Sequence, residues 1–163
     1  MVAEIEVTRA VPAPPDRIFA YLSDLENHWR LADRWIEVVS LERPPGAGPE
    51  APAVGGTVRM RGPLGLGRTA ATKVLSARPP GSIAGSAELG RTLARVSWTL
   101  ADREGQTDVT LAAGVERAGP LDGLLLRLGG RIWLRRRFAS VLERLAERFA
   151  RSGEGRDDSL APS

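Results

Sequence analysis

The sequence contains no cysteine, which excludes disulfides, thiolate nucleophiles and cysteine metal ligands. It has a single histidine, His28, and a single tyrosine, Tyr21. A Ser-His-Asp triad would have to use His28. Ser23 and Asp24, just before it, sit at a helix junction, and no nucleophile-elbow pattern supplies a serine elsewhere. A zinc site usually draws on several histidine or cysteine ligands, so no metal and no cofactor is expected, and no catalytic residue is assigned. Aromatic residues make up only 5% of the chain. That leaves few platforms for stacking bases, and nucleic acid is not expected as a partner. No run of about 18 apolar residues is present, so no membrane-spanning helix is expected. The start, "MVAEIEVTRAV", has acids where a signal peptide would have basic residues followed by an apolar core; the reading is a cytoplasmic protein.

Lysine is nearly absent too. Of 23 basic residues only Lys73 is a lysine. Arginine does not titrate below about pH 12, so a formal charge of only +3 yields a sequence pI near 10.4. The high pI is therefore poor support for nucleic-acid binding. With 42% hydrophobic and 26% charged residues in 163, the chain has the composition of one soluble globular domain.

Ile5, Val7 and Val11 share one parity, and Glu4, Glu6 and Thr8 the other, which predicts a strand with one wet face. "VPAPPDRIFAYL" then places prolines in the first turn of a helix and Asp16 near its positive end. Asp24 can cap a second short helix carrying His28 and Trp29. Strands are predicted in "RWIEVVSLER", "TVRMR", "RTAATKVLSA", "SIAGSAEL", "TLARVSWTL" and "TDVTLAAGVE". "PPGAGPEAPAVGG" predicts an exposed, mobile connection. "GPLGLGR" is followed by a strand pattern and not a helix, so it reads as a hairpin turn and not a phosphate loop. From Pro120 to about Arg151 the pattern becomes helical, with Leu124, Leu134, Phe138, Val141, Leu142, Leu145 and Phe149 in one broad stripe. Gly129-Gly130 predicts a kink. Residues 1–151 form the domain, and the tail 152–163 is expected to be disordered.

Strands joined by tight turns imply an antiparallel sheet, and its apolar face needs a cover. Only the final helix is long enough. The fold class is thus α+β: a curved antiparallel sheet of about seven strands around a long C-terminal helix, with two short helices after the first strand and an apolar space between sheet and helix. The stretch "VTRAVPAPPDRIFAYLSDLENHWRLADRWIEVVSLE", Trp98 and Leu100 of a later strand, and the C-terminal amphipathic helix together resemble the START-like (SRPBCC) helix-grip superfamily, in its polyketide cyclase/dehydrase and lipid-transport branch. The resemblance covers all but the tail. It implies a binder of a small hydrophobic molecule such as a lipid, quinone or polyketide, or, in a minority of members, an enzyme such as a polyketide aromatase/cyclase or dehydratase.

Apolar parity nominates Met60, Trp98 and Leu111 as ligand-binding residues, with Trp35 at a strand entry, Thr72 among the small residues of the middle strands, and Phe138 from the helix. The middle strands also use small residues, Ala70, Ala71, Thr72, Ala84, Gly85, Ala87, Ala112 and Ala113, and small inward side chains leave volume unfilled. His28 and Trp29 are candidates for the entrance. Arg131 and Arg135 fall within or at the edge of the helical stripe, where an unpaired charge is costly. Each must snorkel, pair with an acid, or meet a polar ligand head; on the third reading both join the site. The same helix suggests contact with an anionic membrane surface through Arg136 and Arg137, which keeps a membrane-surface interaction module as a further alternative.

Overall fold

The computed structural model describes residues 3–32, 34–62 and 65–157. Strand β1 (Ala3–Val11) leads into helices α1 (Pro15–Leu22) and α2 (Leu25–Leu31). Six strands follow: β2 (Ile36–Glu42), β3 (Gly55–Arg61), β4 (Gly67–Arg78), β5 (Ser82–Leu89), β6 (Thr92–Arg103) and β7 (Gln106–Arg117). The chain ends in α3 (Pro120–Leu125), a π-helical turn (Leu126–Gly130) and the long α4 (Arg131–Asp157). This is the α+β helix-grip arrangement expected from the sequence.

All seven strands form one antiparallel sheet in the order β1-β7-β6-β5-β4-β3-β2. Consecutive strands β1 and β2 therefore occupy opposite edges, and α1 and α2 make the crossing between them. The ladder slips at Val38/Ser40, Val74/Ser76 and Leu93/Ala94; such bulges raise local twist and bend the strand that carries them.

Local chemistry explains the short helices. Pro15 opens α1 where its missing N–H costs nothing, and Ile18, Phe19 and Leu22 turn inward. The Asp24 carboxylate accepts from the Glu26 N–H at 3.0 Å and so caps α2. Its same oxygen accepts from the Ala53 N–H at 3.1 Å, while Leu25 N–H donates to Ala53 O at 3.0 Å. The β2–β3 connection is exposed over most of its length, as its prolines and glycines suggested, but Ala53 is fully buried and ties it to α2.

The interior is solid at one end and hollow at the other. At the solid end the second half of α4 sets Leu142, Leu145 and Phe149 against β1 and α1, where Val11, Ile18 and Leu22 are buried. The buried Thr107 hydroxyl donates to Ala13 O at 2.7 Å, joining β7 to the turn after β1. At the other end the first half of α4, the π turn and α3 stand off the sheet. Helix α4 runs to Asp157, into the segment expected to be a tail; the remainder of that segment, 158–163, lies outside the described residues.

One expectation about the helix is corrected. Leu124, assigned to the buried stripe, is 53% exposed. The stripe assumed one helix from Pro120 onward, whereas Leu128 (φ −85°, ψ 17°) and Gly129 (φ 115°, ψ 0°) leave the helical region. The angular phase of α3 is thereby uncoupled from that of α4.

Candidate functional site

The hollow end encloses a cavity of about 290 Å³. Register explains why it exists. One cross-strand row runs Val74, Gly85, Val96, Ala113, Ile5; its neighbour runs Thr72, Ala87, Ala94, Val115. All nine residues line the cavity. Glycine and alanine at four of them keep the sheet wall low, and Trp133, Leu134 and Phe138 line the cavity from the helix side.

Of the residues nominated from the sequence, Trp35, Met60, Thr72, Trp98, Leu111 and Phe138 are brought together in the lining, with His28 and Trp29 at the end closed by α2. Trp35 meets Trp133 edge to face, with centroids 5.8 Å apart. The Thr72 hydroxyl donates to Gly56 O at 3.0 Å, so its one proton is committed to the backbone.

Arg131 and Arg135 are not brought there. Both are exposed and outside the lining. A single wheel drawn through the helix averages two directions. The second half of α4 faces β1 with Leu142, Leu145 and Phe149; the first half faces the cavity with Trp133, Leu134 and Phe138, continuing from Gly130 of the π turn. At 100° per residue that shift carries Arg131 and Arg135 away from the cavity side.

His28 packs edge-on to Trp98 at 5.2 Å and to Trp29 at 6.4 Å. Its Nε2 lies 2.7 Å from Leu22 O, so the neutral ring carries its proton on Nε2 and donates it there. Burial pushes its pKa down to about 4, against the opposing pull of that hydrogen bond and of Asp24. A conjugate acid that strong makes a weak general base at neutral pH. The Trp29 Nε1–H is buried with no partner among the described residues. Tyr21 lies outside the lining; burial pushes its hydroxyl pKa up, with Arg148 over its ring at 4.4 Å opposing.

The sequence reading missed the polar end of the cavity. Arg68, at the start of β4, pairs with the Asp122 carboxylate of α3. The other oxygen of Asp122 accepts from the Thr92 hydroxyl, which itself accepts from the Gly119 N–H at 3.0 Å. Arg68, Thr92 and Asp122 all line the cavity. A signal for Arg68 was available: Val74, Thr72 and Ala70 continue by twos to Arg68 on the inward parity, and an inward arginine needs an acid. Asp122, beyond the last strand, could not be paired with it without the fold. The site is therefore an apolar chamber with one charged, hydrogen-bonded end. Among the described residues no cluster of histidine and carboxylates could hold a metal ion, and no helix is long and apolar enough to cross a membrane.

Several solved structures share this fold. TTHA0849 from Thermus thermophilus is 21% identical, with a TM-score of 0.68 over 92% of this chain and 99% of its own. Ms6760 from Mycobacterium smegmatis is 15% identical, with a TM-score of 0.65 over 91% and 92%. A protein from Rhodobacter sphaeroides is 21% identical, with a TM-score of 0.59 over 92% and 94%. No curated protein sequence matches. The family model described as polyketide cyclase/dehydrase and lipid transport matches residues 2–150, nearly the whole chain and every element that builds the cavity; the protein belongs to that family.

Proposed function

We propose that the protein binds a small, mainly hydrophobic molecule of the lipid, quinone or polyketide kind in this cavity, in the cytoplasm, for transport or sequestration. The observation that carries the reading is the cavity itself. Protein interiors are close-packed, yet about 290 Å³ stands open behind an almost wholly apolar lining. That is near the lower end of the roughly 300–1,000 Å³ common for small-molecule sites. Burial of apolar ligand surface drives binding at about 25 cal/mol per Å². Arg68, held by Asp122, gives the ligand's polar end a place to dock, and Trp35, Met60, Trp98, Leu111 and Phe138 enclose its body.

A cyclase or dehydratase needs an acid or base aimed at substrate. Here His28 is a weak base with its Nε2 proton committed to Leu22, and Asp122 is committed to Arg68 and Thr92. Binding without chemistry is the better-supported reading.

Titration with a fluorescent fatty acid, alongside native mass spectrometry of protein from its own host, tests this. Saturable binding and a co-purified small molecule are expected. Arg68→Met should weaken the fatty acid about tenfold, the scale of one charge-assisted hydrogen bond, and leave an uncharged hydrocarbon probe unaffected. A chain that takes up no probe and travels without a bound molecule would remove the proposal.

A further inference from the structure

The roof of the cavity is apolar on both sides. Inward, Leu125, Leu126 and Gly130 line the chamber. Outward, Leu121, Leu124, Leu128 and Ile132 are 55%, 53%, 75% and 62% exposed. Isolated exposed aliphatics are ordinary, but a contiguous apolar patch marks an interaction surface. Leu121 and Leu124 lie on α3, Leu128 in the π turn and Ile132 in the first turn of α4, so four exposed aliphatics fall within twelve residues of one another on the outer side of the roof.

The charge along this stretch of the chain is of one sign. From Gly123 to Leu142 there are five arginines and no acid. Arg127, Arg135 and Arg136 are exposed. The nearest acid before the stretch, Asp122, is turned in to Arg68 and Thr92. On the solvent side of β6 and β7, Arg91 and Arg117 lie exposed beside the start of α3, with Arg117 donating to Arg91 O at 3.0 Å.

We infer that this roof docks on an anionic lipid surface, with Leu121, Leu124, Leu128 and Ile132 entering the headgroup–acyl boundary and the flanking arginines meeting lipid phosphates. Both halves of the patch are needed for that choice. A second copy of the chain would set arginines against arginines across a two-fold axis. A nucleic acid would use the arginines but has no use for four exposed aliphatic side chains, and the rings of this stretch are turned inward, Trp133 against Trp35 and Phe138 into the cavity lining. An anionic bilayer accepts both, as interfacial amphipathic helices do. The expectation of contact through Arg136 and Arg137 is thereby refined. Arg136 follows Ile132 by one helical turn on the outer side, whereas Arg137 lies over the Trp133 ring at 5.2 Å. Docking sets the roof of the chamber against the bilayer.

Co-sedimentation of the full chain with vesicles of phosphatidylcholine, alone or mixed with phosphatidylglycerol, tests the inference. Binding should require phosphatidylglycerol and weaken as salt is added. Arg135→Gln and Arg136→Gln should each reduce it about fivefold. The triple variant Leu124→Ser, Leu128→Ser, Ile132→Ser should lose binding at least tenfold while melting like the wild type, because all three side chains are exposed. Ala87→Phe, which obstructs the cavity, should abolish fatty-acid uptake and leave vesicle binding intact; this separates docking from lipid capture in the chamber. Indifference to phosphatidylglycerol overturns the inference. So does a folded triple variant that binds like the wild type, a loss of vesicle binding in a folded Ala87→Phe, or a dimer that the triple variant converts to monomer without vesicle binding in either form.

Discussion

His28 is a case where a solitary histidine in a chemistry-poor chain belongs to the packing. Its Nε2 proton is committed to Leu22 O, and its ring fills the space between Trp29 and Trp98. The depressed pKa makes it a pH-dependent liability. The folded state binds its proton near pH 4, while the unfolded chain binds it near 6.5. Between those values the unfolded state carries more protons, so stability is full above about pH 6.5 and falls as the pH drops toward 4. Linkage over pH 7.5 to 5 amounts to about 2 kcal/mol. Urea unfolding midpoints should fall over that range in the wild type and fall much less in His28→Gln, which keeps a neutral amide donor. Equal slopes in the two proteins would show that the ring is not shielded from water. Residue identity alone said that His28 lacked partners for catalysis. That it is neutral required knowing that the fold buries it, and which nitrogen holds the proton required knowing that α1 ends with Leu22 O in reach.

At the scale of elements, the join between α3 and α4 is the least regular part of the helical cover. Gly129 has φ 115°, which disfavours any side chain. Gly130 is excluded by crowding: a Cβ there would stand 2.7 Å from Leu125 O. Alanine normally gains up to about 1 kcal/mol over glycine in a helix, so Gly130 just before α4 and Gly153 near its end should respond oppositely. Gly153→Ala, with nothing within 4 Å of the added carbon, should leave the melting temperature unchanged or raise it by up to about 3 °C. Gly130→Ala should lower it by several degrees, because backbone must move. Equal behaviour in thermal melts would remove the close approach at Leu125. The break was legible in the sequence, since adjacent glycines interrupt an apolar period. Its consequence was not, because periodicity reports an angle within one helix and carries no information across a kink. That is why Leu124 was placed inside, and why Arg131 and Arg135 were aimed at a chamber that Trp133 and Leu134 in fact face. Strands fared better: period two has only two phases, so β3, β6 and β7 put Met60, Trp98 and Leu111 on the apolar parity, and all three line the cavity, without any knowledge of the register.

The whole molecule divides the same sheet face between packing and vacancy, and volume substitutions can tell the two apart. Ala70 and Ala87 are both alanines on the inward parity of adjacent strands. Ala70 is fully buried in the core cluster, whereas Ala87 lines the chamber between Thr72 and Ala94. Composition cannot separate them, since alanine is abundant throughout this chain. Only the third dimension distinguishes an alanine with a neighbour above it from one with open space. Adding a phenyl ring at Ala70 forces an overpacked core and should cost about 1–3 kcal/mol. The same ring at Ala87 enters existing space, buries apolar surface without displacing neighbours, and should leave the urea midpoint equal to or above that of the wild type. The gain in stability and the loss of ligand capacity then have one cause, the filled volume. Ala87→Phe should therefore abolish fluorescent fatty-acid binding as it holds or raises the midpoint, whereas Ala70→Phe lowers the midpoint. If Ala87→Phe instead destabilises the protein as much as Ala70→Phe does, the chamber is closed in solution, and the sheet and helix meet as a solid core along their whole length.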